Sequence, residues 1–139
     1  MQELTIQQIK QFQHWLVDSV WNHFVAQDKP FAYSEDFMAC RLRTADGRKC
    51  AIGIFIPDTD YHVSLETNLA VASNMIIDKL FIRNKILSDS IADRGFLATR
   101  KIMHVLRGWH DHYATNLYAC KQEFQEKLIS IKNTIDLWN

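Results

Sequence analysis

The C-terminal third of the chain carries an apolar stripe that restricts the fold more than any other sequence feature. From residue 102 onward its members recur at spacings of four, three and four, a rhythm that keeps them on one side of a helix: Leu106, Trp109, Tyr113, Leu117, Cys120, Phe124, Leu128, Ile131, Ile135 and Trp138. A straight helix of this length would measure about 55 Å, whereas a domain of this size has a radius of gyration of about 14 Å. The chain therefore either turns near residues 113–116 into a helical hairpin or forms an unbroken helix that packs against a second copy.

A long N-terminal helix is predicted from about residue 6 to residue 27. Thr5 and Gln8 form a capping box, and Leu4 and Ile9 occupy the positions of a hydrophobic staple. Its apolar side chains cover roughly 280° of the helix circumference, more than a surface helix needs. The helix is therefore central or covered by a partner. Together with the unbroken phase of the C-terminal stripe, which favours a continuous helix there, this cover predicts a homodimer.

A β-hairpin is predicted over residues 37–56. A two-residue turn at Asp46-Gly47 would set Arg41 and Arg43 among the isoleucines of the second strand, so a type I turn at Ala45-Asp46 followed by a left-handed glycine is preferred. That register gathers the apolar side chains on one face: Met38, Cys40, Leu42, Cys50, Ile52, Ile54 and Ile56. The other face then carries a small basic surface beside an aromatic ring: Arg41, Arg43, Lys49, Ala51, Gly53 and Phe55.

These elements predict an α+β fold that is mainly helical. One β-hairpin packs against a long N-terminal helix and a long C-terminal helix or helical hairpin, and a further helix is expected over about residues 66–83. The 139 residues contain four Gly and two Pro and show no linker or repeat, so residues 1–139 are interpreted as a single domain.

The charge balance limits the classes of partner. Sixteen basic and sixteen acidic side chains cancel, which removes the bulk attraction that a general nucleic-acid or membrane-surface binder uses. The first ten residues lack a secretory signal pattern, and no stretch approaches the roughly 18 apolar residues of a membrane span. Three cysteines, an odd number, fit reduced thiols. We therefore expect a cytoplasmic protein that does not bind membranes, and nucleic acid is not the favoured partner.

The segment from residue 40 to residue 58 reads CRLRTADGRKCAIGIFIPD. It resembles small uncharacterised proteins of bacteria and phages that carry the pattern C-x-x-R-x-x-D-G-x-K-C-A-x-G-x-L-I-P-D, and Tyr61 and Glu66 also match downstream. Leu42 stands where an aromatic residue is usual, and Phe55 stands where leucine is usual. The family has no established activity. The resemblance therefore implies an origin in a phage or another mobile element but no chemistry.

Two cysteines and a group of histidines could suggest a metal site. In the preferred register Cys40 and Cys50 lie about 7 to 8 Å apart, too far for an unstrained disulfide, and zinc would need two further ligands. On a helical wheel His104, His110 and Asp111 do not converge, so His110 is interpreted as a partly buried, hydrogen-bonded side chain. We predict no metal, no cofactor and no catalytic residue.

The loop after the hairpin is the other place where chemistry could arise. Asp58, Asp60 and His62 could serve acid-base work or hold a divalent ion, although an aspartate after proline more often caps the following turn. A metal-dependent hydrolase or nucleic-acid-processing enzyme that uses this loop is therefore one alternative function. A nucleic-acid accessory protein that uses the basic hairpin face is another, and a merely solvated strand face would explain the same charges.

The favoured function is a small non-enzymatic interaction protein that binds a host or defence protein, as an inhibitor would. The absence of a phosphate loop, a nucleophile elbow and a Ser-His-Asp order supports this class over an enzyme. The candidate binding residues are Arg41, Arg43, Lys49, Phe55, Asp58, Tyr61 and His110.

Overall fold

The computed structural model describes residues 5–77, 89–116 and 121–137. Its helices are α1 (Ile6–Trp21), α2 (Leu69–Ile77), α3 (Asp89–Thr115) and α4 (Lys121–Leu137). A π-helical turn (Asn22–Ala26) continues α1, and two short 3₁₀ helices occupy Gly53–Phe55 and Val63–Thr67. Two antiparallel strands, β1 (Tyr33–Ser34) and β2 (Ala39–Cys40), form the one hairpin of the described residues. The predicted α+β, mainly helical class is confirmed.

Helix α1 begins at the predicted capping box. The Thr5 hydroxyl accepts a hydrogen bond from the Gln8 amide at 3.1 Å, and the Gln8 side chain accepts one from the Thr5 amide at 2.9 Å. Leu4, one half of the predicted staple, lies outside the described residues. The helical path ends before Asp28, whose φ of 52° is left-handed. Helix α1 packs against both α3 and α4, so the same chain covers much of its apolar circumference.

The C-terminal stripe folds as a helical hairpin. Helix α3 ends at Thr115, and α4 begins at Lys121 and packs against both α3 and α1. The preference for one unbroken helix was therefore wrong. The apolar residues keep the same periodicity in α3 and α4 because both helices face one shared core. The residues that α4 contributes to this core are Phe124, Leu128, Ile131 and Ile135.

The predicted hairpin is right at its turn and wrong in its extent. Gly47 is left-handed with φ of 87°, its amide donates to the Thr44 carbonyl at 3.1 Å, and Arg43 bridges Lys49 as predicted. Beyond Cys50, however, the chain forms turns and a 3₁₀ helix, and β2 pairs instead with β1. The exposed side chain of Met38 and the buried one of Phe55 are opposite to the predicted pattern.

A close backbone approach explains why the second strand stops. The Cys50 sulfur accepts hydrogen bonds from the amides of Ile52 at 3.4 Å and Gly53 at 3.2 Å, which curls the chain into a turn. Gly53 then lies against the Leu42 carbonyl, so that a Cβ atom at this position would stand 2.0 Å from the oxygen. The bend therefore requires glycine at position 53 and stabilises a turn where alternation alone suggested a strand.

The predicted helix over residues 66–83 is partly observed. Val63–Thr67 forms a 3₁₀ helix, and α2 begins three residues later than expected because the Asn68 side chain accepts from the Val71 amide at 3.2 Å. Residues 78–83 lie outside the described residues. Helix α2 packs on α3, and its Ala72, Ile76 and Ile77 are buried.

We expect Gly53→Ala to lower the free energy of unfolding by about 2 to 3 kcal/mol, because the added methyl group collides with the Leu42 carbonyl. Gly108→Ala is the matched control, since a Cβ atom there meets nothing within 4 Å on helix α3 and should stabilise by about 1 kcal/mol. Urea unfolding of both variants gives the comparison. Equal effects of the two substitutions would contradict the close approach at Gly53.

Candidate functional site

A buried carboxylate joins the segment around residue 42 to the loop that precedes α2. The Glu66 side chain is 8% exposed, and its Oε1 accepts from the Leu42 amide at 2.7 Å. Its Oε2 accepts from the Arg43 amide at 3.1 Å and from the Tyr61 hydroxyl at 2.5 Å. Arg41 lies nearby, with its Nε 3.9 Å from Oε1. Glu66 therefore accepts hydrogen bonds from backbone amides that would otherwise need a partner strand. Its role is structural.

Arg43 is held by several groups of the same region. One terminal nitrogen lies 2.6 Å from Asp58 Oδ1, and the other donates to the Ile56 carbonyl at 2.5 Å. The guanidinium also lies over the Tyr61 ring, 4.7 Å from its centroid. The side chain is 15% exposed. Both terminal nitrogens thus have contacts within the fold, whereas the buried Nε has no hydrogen-bond partner among the described residues.

The predicted basic face does not form one surface. The Arg41 Nε donates to the Arg43 carbonyl at 3.2 Å, and its guanidinium lies 4.1 Å from the centroid of the Phe37 ring. Lys49 lines a cavity of about 360 Å³. Phe55 packs on Trp15, with ring centroids 5.4 Å apart, and lines another cavity of about 300 Å³. The structure thus brings Arg41, Arg43, Asp58 and Tyr61 together and places Lys49 and Phe55 elsewhere.

Side chains of the loop from Asp58 to His62 form contacts with nearby residues. Asp58 pairs with Arg43 and does not cap a helix, although its side chain is largely exposed. His62 takes the capping role, because its Nδ1 accepts from the Ser64 amide at 3.1 Å. Asp58, Asp60 and His62 do not converge within the distances of a metal site; in the described ranges, one group of three potential ligands does so, and it lies elsewhere.

That group consists of Cys40, His110 and Asp111, whose ligand atoms lie within 4.8 Å of one another. His110 is fully buried, its Nε2 accepts from the Ala32 amide at 3.0 Å, and its Nδ1 lies 2.8 Å from Asp111 Oδ1. The expected buried, hydrogen-bonded histidine is thus observed. Sequence reasoning separated His110 from Asp111 on a helical wheel, although adjacent side chains can turn toward each other at a helix edge.

The hydrogen bonds of His110 fix its protonation state. Because Nε2 accepts from a backbone N–H, the ring proton is on Nδ1 and is donated to Asp111. Burial lowers the pKa of His110, against the opposing effect of Asp111, and keeps the ring neutral. A metal ion at Nδ1 would need that proton removed, and the ring would then either become an imidazolate or lose its bond with Ala32.

The thiol of Cys40 is also in its neutral form. Burial and the nearby Asp111 carboxylate raise the pKa of Cys40 to about 12. Nucleophilic attack uses the thiolate, which this environment disfavours. The cluster of Cys40, His110 and Asp111 therefore fits a structural link between the β1–β2 hairpin and α3 better than a catalytic or metal centre.

Comparison of the chain with protein-family models, with curated proteins and with solved structures finds no match. No helix within the described residues has both the length and the apolar character needed to cross a membrane.

Glu66→Gln should destabilise the fold by about 2 to 4 kcal/mol, because an amide cannot accept at both positions and would turn its NH₂ toward a backbone N–H. Tyr61→Phe removes one donor to the same carboxylate and should cost about 1 kcal/mol. Glu126→Gln on the exposed face of α4 is the control and should change little. Denaturant unfolding measures all three. A Glu66→Gln variant as stable as the control would refute the anchoring role.

Acidification should destabilise the protein through His110. The pKa of this residue in the folded state lies below its ordinary value of 6.5, so below pH 6.5 the unfolded chain takes up a proton that the folded chain does not. The free energy of unfolding should then fall by up to about 1.4 kcal/mol per pH unit until the pH reaches the folded-state pKa. His23, whose pKa is also lowered, chiefly by burial, adds in the same direction.

Denaturant unfolding between pH 7 and pH 5 tests this dependence. His110→Gln should flatten it, whereas His104→Gln on an exposed position of α3 should not. An NMR titration of the unmodified protein provides a second readout that does not depend on a folded variant. Titration of the His110 ring near pH 6.5 would contradict the assignment.

Proposed function

We propose that this chain is a non-enzymatic interaction protein that binds another protein through the tip of its β1–β2 hairpin. The observation that carries the proposal is a pair of adjacent, exposed apolar side chains at that tip. Phe37 is 65% exposed and Met38 is 81% exposed. Neighbouring large apolar side chains at the end of a projecting turn are typical anchors of protein interfaces.

Local contacts stabilise the conformation of the tip. Met38 has φ of 51°, a left-handed conformation that is unfavourable for a methionine side chain. Its amide donates to the Glu35 carbonyl at 3.2 Å, and the Arg41 guanidinium packs against the Phe37 ring. A preformed tip loses less conformational entropy on binding, which supports a docking role.

The charge around the tip indicates the chemistry of the partner. Glu35 and Asp36 are exposed beside Phe37 and Met38, so the tip combines an apolar point with two carboxylates. A partner with an apolar pocket and a basic rim would complement both features. A host or defence protein met by a mobile element is the partner class that we propose from the resemblance of the sequence.

The chemistry-bearing groups of the described region support a non-enzymatic role. The Glu66 carboxylate, the Arg43 guanidinium and the His110 ring are each occupied by hydrogen bonds that stabilise the fold. The Asp58–His62 loop, on which an enzymatic function would depend, has the local contacts described above. We therefore favour binding over hydrolysis.

The homodimer remains a prediction. Its support is now a set of exposed apolar side chains, since the C-terminal helix is not unbroken. Several large apolar side chains stay exposed on the C-terminal helices: Leu97, Val105, Ile129 and Leu137. They offer a surface to a second copy that does not involve the hairpin tip. Native mass spectrometry reports the subunit number directly.

A photo-crosslinking amino acid at position 37 should capture a defined partner from cells in which this gene is native. Position 63 is the matched control, because Val63 is 60% exposed and belongs to the 3₁₀ helix Val63–Thr67 and not to the hairpin. Partner capture from position 37 should be lost when Met38 is replaced by Ser. Crosslinks of equal yield from positions 37 and 63, or yields that Met38→Ser leaves unchanged, would argue against the tip as the interface.

Met38→Gly separates the stability of the tip from its binding. Glycine adopts positive φ freely, so this variant should be about 1 kcal/mol more stable than the original protein. It also removes the most exposed apolar side chain of the tip and should weaken partner capture. A variant that is less stable, or one that binds as well as the original, would contradict the proposed role of Met38.

A further inference from the structure

A cationic cavity lies where α1 ends and meets the turn after residue 44. It is a pocket open to solvent with a volume of about 360 Å³, and its walls include His23, Lys29, Arg48 and Lys49 with one carboxylate, Asp46. Asp46 is matched by Arg48, whose Nε donates to both of its oxygens at 3.0 and 2.9 Å. The remaining two ammonium groups give the cavity an excess of positive charge.

The two lysines of this cavity have no acidic partner among the described residues. Within these residues no carboxylate forms an ion pair with Lys29 or Lys49, whereas Lys121 pairs with Asp28 and Lys132 with Asp18. The pKa of His23 is lowered, first by burial and then by the positive charges of Lys29 and Lys49, with a smaller effect of His110. Unpaired cations that line one concave surface favour the binding of an anion.

A second cavity shares His23 as a wall residue. It is open to solvent, has a volume of about 300 Å³, and is lined by Trp15, Phe55, Asn22 and Gln27 among others. Trp15 stacks on Phe12 and packs on Phe55, and it is still 45% exposed, so part of its indole surface faces solvent. An aromatic surface with nearby amides suits a flat, hydrogen-bonding ring system.

The backbone at this junction is unusual. His23 lies in the π-helical turn Asn22–Ala26, and Asp28, which follows the turn, has a left-handed φ of 52°. π-Helical turns are rare and occur frequently at functional sites. Here the turn places Asn22 and His23 along the two cavities.

The geometry points to a binding site for a free 5′-mononucleotide, with the phosphate between Lys29 and Lys49 and the base against Trp15. Each half of the ligand has a matching cavity: ammonium groups for a phosphate, and an aromatic ring with amides for a base. The neutral charge of the whole chain favours a small ligand over a long nucleic acid. This site is separate from the hairpin tip, so it can be tested without the protein partner.

Isothermal titration calorimetry with inorganic phosphate and with AMP, at constant ionic strength, tests the two halves. We expect both probes to bind and AMP to bind more tightly. Lys49→Gln and Lys29→Gln should each weaken the binding of both probes by about tenfold, since each removes a charge-assisted contact. Lys101→Gln on an exposed position of α3 is the matched control and should change neither affinity.

A separate variant tests the part of the site that we propose to bind the base. Trp15→Leu should reduce the affinity for AMP by at least about fivefold and leave that for phosphate unchanged, because a stacking surface is lost and the lysines are not. NMR provides a readout at the site itself. Added phosphate should raise the pKa of His23 and leave the ring signals of the exposed His104 where they are.

Four results would overturn the proposal. They are the absence of binding for both probes at millimolar concentration, equal affinity for AMP and phosphate, an effect of Lys101→Gln equal to that of Lys49→Gln, and an affinity for single-stranded oligonucleotides that rises with their length. The last result would assign the site to nucleic acid instead of a free nucleotide.

Discussion

The middle of this chain depends on side chains that accept hydrogen bonds from the backbone. Between residues 41 and 68 there is little regular structure, so many amide groups have no partner in a helix or sheet, and unpaired buried amides are costly. Glu66 accepts from two amides, the Cys50 sulfur from two others, and His62 from one. His110 does the same for Ala32 from outside the segment. These acceptors give the amides of an irregular segment the partners that a sheet would otherwise provide.

This dependence gives a structural meaning to most of the quoted sequence pattern. Cys50 turns the chain, Gly53 fits where no Cβ atom can, and Gly47 adopts the left-handed conformation of its turn. Arg43, Tyr61 and Glu66 then form one hydrogen-bonded unit. Most of the pattern therefore consists of residues that build the fold, whereas Lys49, which also belongs to it, lines the pocket after α1.

The sequence allowed the helical part of the fold to be predicted because helical signals are local. The capping box at Thr5 and the phase of the C-terminal stripe depend only on neighbours along the chain, and both are observed. The choice between an unbroken helix and a helical hairpin depends on where the second half of the stripe finds its core, which periodicity cannot show. The second strand of the predicted hairpin was wrong for a related reason. Alternation over residues 50–56 suggests a strand, but the thiol of Cys50 and the bare backbone of Gly53 favour a turn.

The candidate binding residues fall into two groups according to the sequence argument that selected them. Asp58 and Tyr61 were selected from a resemblance that turned out to mark structural contacts, whereas Lys49 and Phe55 were selected for a strand face that does not exist. The cavities that Lys49 and Phe55 line also involve Lys29 and Trp15, which are distant in sequence and carry no shared pattern. Only the packing of α1 against the 45–55 region brings them together.

Ion pairing distinguishes the cationic side chains that stabilise the fold from those that we propose to bind a ligand. The guanidinium groups of Arg43 and Arg48 are neutralised by nearby carboxylates and donate to backbone carbonyls, so they contribute to folding. Lys29 and Lys49 line one pocket and disfavour a charge on His23, and neither forms an ion pair with a carboxylate of the described residues. Neither lysine therefore contributes an ion pair to the stability of the fold. A bound anion would supply the opposite charge that the two lysines lack, which is why we propose the ligand for this pocket and not for the hydrogen-bonded unit of Arg43, Tyr61 and Glu66.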